Sequence, residues 1–173
     1  AFVSTKNENK TRPYEFLFDA AMLGVGVAFD TKGTDTKIYK PLDETYIYII
    51  EDTREGWVKA LKELLLCYFE ENHKKVIFDY SQIRPEGLPL KTFGGTSSGY
   101  KPLKLAFDSI SEMLDNNLLY GTNKPNIIND IKDGKITDYK PKDKLNSIMI
   151  LDIMNMLCKC VVSGNVRRSA TIS

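Results

Sequence analysis

The sequence predicts an α/β fold built on a mainly parallel sheet or barrel. Three observations carry that prediction. Short β-branched and aromatic runs alternate with helix-patterned segments, the order that parallel strands and crossover helices impose. One run, KVIFDYS, is apolar on both of its faces, as a strand covered from both sides must be. The strands are few, so closing a barrel needs more chain than these 173 residues.

The elements follow in order. The first dozen residues, AFVSTKNENKTR, are polar and without period, and read as loop. Pro13 opens PYEFLFDAAMLG, where Phe16, Leu17, Ala20, Ala21 and Leu23 make one helical face. Gly24 ends that helix. VGVAFD, residues 25–30, follows as a short buried strand. Residues 31–44 are turn-rich and charged, an insertion or linker. TYIYII, residues 45–50, is a strand. A helix is expected over about 53–71, with Trp57, Leu61, Leu64, Leu65 and Tyr68 as its stripe and Asp52 and Glu55 at capping-box spacing. KVIFDYS comes next, then a long loop, QIRPEGLPLKTFGGTSSGYKP, with three prolines and four glycines. Loops of that length are usually functional. LKLAFDSISEMLDNNLL is an amphipathic helix, and residues 119–143 read as a second surface insertion. LNSIMILDIMNMLCKCVVSG is the most apolar helix, and NVRRSATIS the strand after it.

Composition narrows the function classes. A 42% apolar content suffices for a core, and the length fits one domain or a large part of one. A net charge of +1 gives no global reason to expect nucleic acid or an anionic membrane as partner. No apolar run approaches the roughly 18 residues that span a bilayer, and none reads as a signal peptide. A chain that starts at Ala1 rather than Met is expected to be a fragment or a processed product. Cys67, Cys158 and Cys160 are odd in number and lie in apolar helical stretches. That spacing fits packing better than disulfides, and a CxC with one histidine, His73, is too poor for a zinc site.

Three stretches hold candidate chemistry. Gly94, Gly95, Thr96, Ser97, Ser98 and Gly99 precede a helix near Pro102. Glycines there let backbone N–H groups approach an anion, so the stretch is either a substrate-facing loop or a flexible polar turn. Asp52, Thr53 and Arg54 stand at a helix start. They are either a cap with a solvated arginine or a nucleotide site, the carboxylate taking a ribose hydroxyl and the guanidinium a phosphate. Arg167 and Arg168 are adjacent in a strand and point to opposite faces. One of them then faces inward to an anionic ligand, or both reach water at a strand end. Asp79 and Arg84 are expected to form an internal ion pair.

PYEFLFDAAMLGVGVAF, EDTREGWVKA, FDYSQIRPEGLPLKTFGGTSSGYKPL and LDIMNMLCKCVVSGNVRRSA occur here in one order. That succession resembles the adenosylcobalamin-dependent (class II) ribonucleotide reductases, and among them the ribonucleoside-triphosphate reductases. The likeness spans nearly the whole chain outside 31–44 and 119–143. It implies a single fragment, residues 1–173, of the first half of a ten-stranded α/β barrel, with VGVAF, VIFDYS and NVRRSATIS as three of its strands. It implies that Asp52, Thr53 and Arg54 lie at an allosteric effector site. It also implies that Gly164, Asn165, Val166, Arg167, Arg168, Ser169 and Ala170 form a loop between the effector and the substrate base. The parent reaction would turn ribonucleoside triphosphates into 2′-deoxyribonucleotides by a thiyl radical that adenosylcobalamin initiates, with a thioredoxin-type reductant, in the cytoplasm. The family's radical cysteine, its glutamate and its reducing cysteine pair match no residue here, so no catalytic residue is assigned and the fragment is expected to be inactive alone. A non-catalytic nucleotide-binding α/β module is the alternative.

Overall fold

The first strand, β1 (Phe2–Val3), lies in the stretch that reads as loop. It pairs in parallel with β2 (Val27–Phe29), Phe2 opposite Ala28, and helix α1 (Arg12–Met22) crosses between them. The structure is a computed structural model and describes residues 1–90, 95–163 and 171–172, the last two by backbone alone. A second crossover follows: β3 (Leu42–Ile49), helix α2 (Arg54–Phe69) and β4 (Lys74–Asp79), with β3 and β4 parallel and Tyr46 opposite Val76. Helices α3 (Lys101–Tyr120), α4 (Pro125–Lys132) and α5 (Ser147–Val162) come next, and β5 (Thr171–Ile172) returns to pair in parallel with β2.

The parallel α/β class is therefore what the described residues show. Their strands form two separate sheets, β1-β2-β5 and β3-β4. β4 does not share a sheet with β2 and β5, so a partial ten-stranded barrel is not displayed by these residues. Nor do the described residues give β4 the expected two-sided cover. Tyr46, Tyr48, Val76 and Phe78 face the helices, whereas Ile47 (72% exposed), Ile49 and Ile77 lie on the open face. A two-stranded sheet has one helical layer to lean on, and the alternation along each strand sends every second residue away from it.

The core sits among helices. α1 packs on α2 and α5, and α3 packs on α2 and α5, so the four close a ring. Each contributes an i, i+3, i+4 stripe: Tyr14, Leu17, Phe18 and Ala21 from α1, and Leu103, Phe107, Ile110 and Leu114 from α3. Aromatic contacts tie the layers. Tyr14 meets Phe69 with ring centroids 5.9 Å apart, and Phe78 of β4 meets Phe107 of α3 at 5.0 Å.

The two stretches read as insertions are bound to each other. Ile38 N–H donates to the Asp143 carbonyl (2.7 Å) and Leu145 N–H to the Thr36 carbonyl (3.0 Å). Ile38 and Leu145 are both buried. Asn117 of α3, 1% exposed, donates its amide to the carbonyls of Lys142 (2.9 Å) and Lys144 (3.3 Å). Gly121 ends α3 at φ +65°, and a Cβ there would lie 2.4 Å from the Lys140 carbonyl oxygen. Only glycine meets both demands. The stretch 119–143 also holds a helix of its own, α4, started by Pro125.

Candidate functional site

The carboxyl ends of parallel strands are where α/β folds collect ligand-binding side chains. At that end of β3-β4 the chain leaves Ile49 and turns into α2. Ile50 N–H still donates to the Asp79 carbonyl (3.0 Å), which holds the two strand ends together. Thr53 is the N-cap: its Oγ1 accepts from Gly56 N–H at 2.9 Å. The Asp52–Glu55 capping box is thus corrected by one position. Thr53 takes the cap because Asp52 is drawn to another partner. Gly56 is required by space, since a Cβ would stand 2.5 Å from the Glu51 carbonyl oxygen and 2.9 Å from the capping hydroxyl.

That partner is Arg84. Its Nε–H donates to Asp52 Oδ2 at 2.5 Å, and both side chains are about two-thirds to three-quarters covered. The expected Asp79–Arg84 pair is not formed. Asp79 instead accepts from Ser81 N–H (2.8 Å), and that backbone bond holds its carboxyl below the ordinary range. Arg54 turns away from Asp52, its guanidinium on Asp19 of α1 and on Glu55 (2.6 Å). It fastens the start of α2 to α1.

The loop after β4 folds back as a hairpin. Gly87 N–H donates to the Ser97 carbonyl (2.9 Å), Ser97 N–H to the Leu88 carbonyl (2.7 Å) and Leu90 N–H to the Gly95 carbonyl (2.9 Å). Thr96 bridges Pro89 across it. Ser97 Oγ donates to the Arg84 carbonyl (3.3 Å) and accepts from Gly99 N–H (3.0 Å). Gly99 is buried at φ +68° against Glu86, and Ser98 beside it is half-buried. Arg84 therefore joins two stretches that the sequence offers separately, with its guanidinium on Asp52 and its backbone on Ser97. Sequence reasoning missed that role. Arg84 and Asp52 are 32 residues apart, and the one available signal was an arginine just before a proline in a long loop.

Gly94 and the stretch Gly164, Asn165, Val166, Arg167, Arg168, Ser169 and Ala170 lie outside the described residues. The three cysteines are buried. Burial raises the Cys67 thiol and pushes that of Cys160 up to about 12, which removes the thiolate that nucleophilic or redox work needs. Among the described residues no three His, Cys, Asp or Glu side chains gather as a metal site, and no helix is long and apolar enough to cross a membrane.

A parallel βαβ unit with charged side chains gathered around a capped helix start at its carboxyl end places the chain in the parallel α/β class. A family model described as the insertion domain of B12-dependent ribonucleotide reductase matches residues 20–114. The chain belongs to that family, the B12-dependent (class II) ribonucleotide reductases. It is 42% identical to the adenosylcobalamin-dependent ribonucleoside-triphosphate reductase of Euglena gracilis, over all of this chain and 21% of that protein. It is 29% identical to the enzyme of the same name from Lactobacillus helveticus, over 99% of this chain and 26% of that protein. A crystal structure of a B12-dependent (class II) ribonucleotide reductase superimposes on 94% of this chain and 25% of its own, with a TM-score of 0.64 and 26% identity. The chain spans about a fifth to a quarter of the length of the relatives it matches.

Proposed function

We propose that this chain is the effector- and base-recognition portion of an adenosylcobalamin-dependent ribonucleoside-triphosphate reductase. The observation that carries the reading is the Asp52–Arg84 pair beside the capped start of α2. The carboxylate suits a sugar hydroxyl and the guanidinium suits a phosphate. The helix start adds N–H donors and a favourable dipole for an anion. Thr53 shapes that start, and Arg54 serves it from its anchor on Asp19. Binding of a deoxynucleotide effector parts Asp52 from Arg84. The Ser97 bond to the Arg84 carbonyl passes the change to the hairpin of Gly95, Thr96, Ser97, Ser98 and Gly99. Residues 164–170, with Arg167 and Arg168, bring the same bias to the substrate base. In the intact protein β1-β2-β5 would belong to the first half of the family's barrel, with β3-α2-β4 set into it.

The relatives named above are adenosylcobalamin-dependent. The described residues do not fit that cofactor. The groove lined by α3, α4 and α5 measures about 420 Å³, too small to bury a corrin, and the lone histidine, His73, is half-buried with its Nδ1 against the Lys74 carbonyl. The cobalamin, the ribonucleotide's reacting carbons and the thioredoxin-type reductant would engage other parts of the longer protein.

The test is competition among the four ribonucleoside triphosphates in the intact protein, with each deoxynucleotide effector in turn. Asp52→Ala should abolish effector-directed preference and spare basal turnover. Arg168→Ala should scramble which base each effector favours. Loss of one guanidinium contact is worth on the order of 2 kcal/mol, roughly thirty-fold in affinity. Normal effector-directed preference in Asp52→Ala would leave this stretch as a helix cap and nothing more.

A further inference from the structure

Away from Asp52 and Arg84, α3, α4 and α5 enclose an open groove of about 420 Å³. Its floor is apolar: Met113 and Ile128 are buried and Met156 is half-buried. Its walls are polar, and they come from every element around it. Glu112 and Asn116 stand on α3, Asn123 on the turn before α4, Asn129 on α4 and Asp152 on α5. None of these five side chains has a hydrogen bond or ion pair within the described residues. Every other half-buried carboxylate among the described residues is engaged, as Asp19, Asp52, Glu63 and Asp115 are by arginine or tyrosine, whereas Asp152 is not. Lys132, the one cation of the lining, is held over the Tyr120 ring at 5.5 Å.

We propose that this groove binds a planar, amino-substituted nitrogen heterocycle at the nucleoside level, without phosphate. Side-chain amides offer a donor and an acceptor side by side, the complement of a ring edge carrying an amino group and a ring nitrogen. Two carboxylates accept from that amino group or from sugar hydroxyls. Two thioethers and an isoleucine give the ring face a polarisable floor. The same two carboxylates, set against one lysine, repel a phosphate. The volume lies in the lower part of the range of small-molecule sites. The site is independent of the effector reading, since it shares no residue with it.

The experiment is calorimetric titration of the intact protein, its nucleoside-triphosphate sites saturated, with adenosine, adenosine 5′-monophosphate and arginine amide. Adenosine should bind more tightly than its monophosphate. Asp152→Asn, which keeps the shape of α5, and Asn129→Ala on exposed α4 should each weaken adenosine at least tenfold. Three results would overturn the proposal: no adenosine binding at millimolar concentration, binding that both variants leave unchanged, or preference for arginine amide. The last would assign the groove to a side chain of a partner rather than to a free heterocycle.

Discussion

Asp52 illustrates how one residue's neighbours decide its work. By spacing it is a capping residue; in three dimensions it is half of an ion pair that spans two loops, and Thr53 does the capping. Local sequence is sufficient for a cap, because donor and acceptor lie three residues apart. It is silent on Arg84, whose approach depends on the strand pairing of β3 with β4. Gly56 is a second case. Its lack of a side chain looks like an ordinary helix-start preference, yet the Glu51 carbonyl occupies the space a methyl would need. Gly56→Ala should therefore cost about 1–3 kcal/mol, the range for overpacking, and loosen the Asp52 turn. Amide hydrogen exchange at residues 53–57 in the intact protein checks it, and unchanged protection there would show that the turn simply yields.

At the scale of elements, α1, α2, α3 and α5 were legible from their stripes, and β2, β3, β4 and β5 from their β-prone runs. β1 was not, because two residues cannot show a period. α4 was hidden by a polar setting in which Ile128 is its one buried residue. The clasp of 36–38 on 143–145 was hidden because its partners are about a hundred residues apart. Asn117 is its hinge pin. Asn117→Ala removes two hydrogen bonds, to the Lys142 and Lys144 carbonyls, and should cost about 1–3 kcal/mol, seen as faster exchange of the Ile38 and Leu145 amides. The α2–α3 contact carries a pH dependence as well. Tyr68 Oη–H donates to Asp115 (3.0 Å), yet burial dominates and raises that carboxyl above its ordinary value. A raised folded pKa means that the group favours folding at low pH and that this contribution is lost as pH rises through it. Asp115→Asn keeps an acceptor for Tyr68 and removes the charge. Its stability relative to wild type should increase from a pH below the ordinary carboxyl range to pH 7 in denaturant titrations; an equal gap at both pH values would contradict the sign.

For the whole molecule, the family was legible because four motifs keep one order, and the arrangement of sheets was not. Strand runs such as VGVAF and VIFDYS look alike, and nothing in either says which sheet it joins. Their separation follows from crossover length: β3 and β4 are joined through one helix, whereas β2 waits for β5 at the far end of the chain. Residues 1–173 by themselves should turn over no ribonucleotide when cobalamin and a dithiol are supplied. The buried cysteines cannot substitute for a reactive set, and measurable deoxynucleotide formation would refute the assignment.

The pairing of β2 with β5 also sets a timetable. Val27 meets Thr171 across about 140 residues, and Tyr46 meets Val76 across about 30. Closing the longer loop costs roughly 1.4 kcal/mol more in chain entropy, and on a ribosome its second strand emerges long after the first. β3-α2-β4 can therefore assemble during synthesis, while β1-β2 must wait with an unfilled edge until β5 arrives. Substitutions in the early unit should alter how fast the chain folds, and substitutions at the β2-β5 seam should alter chiefly how fast it comes apart.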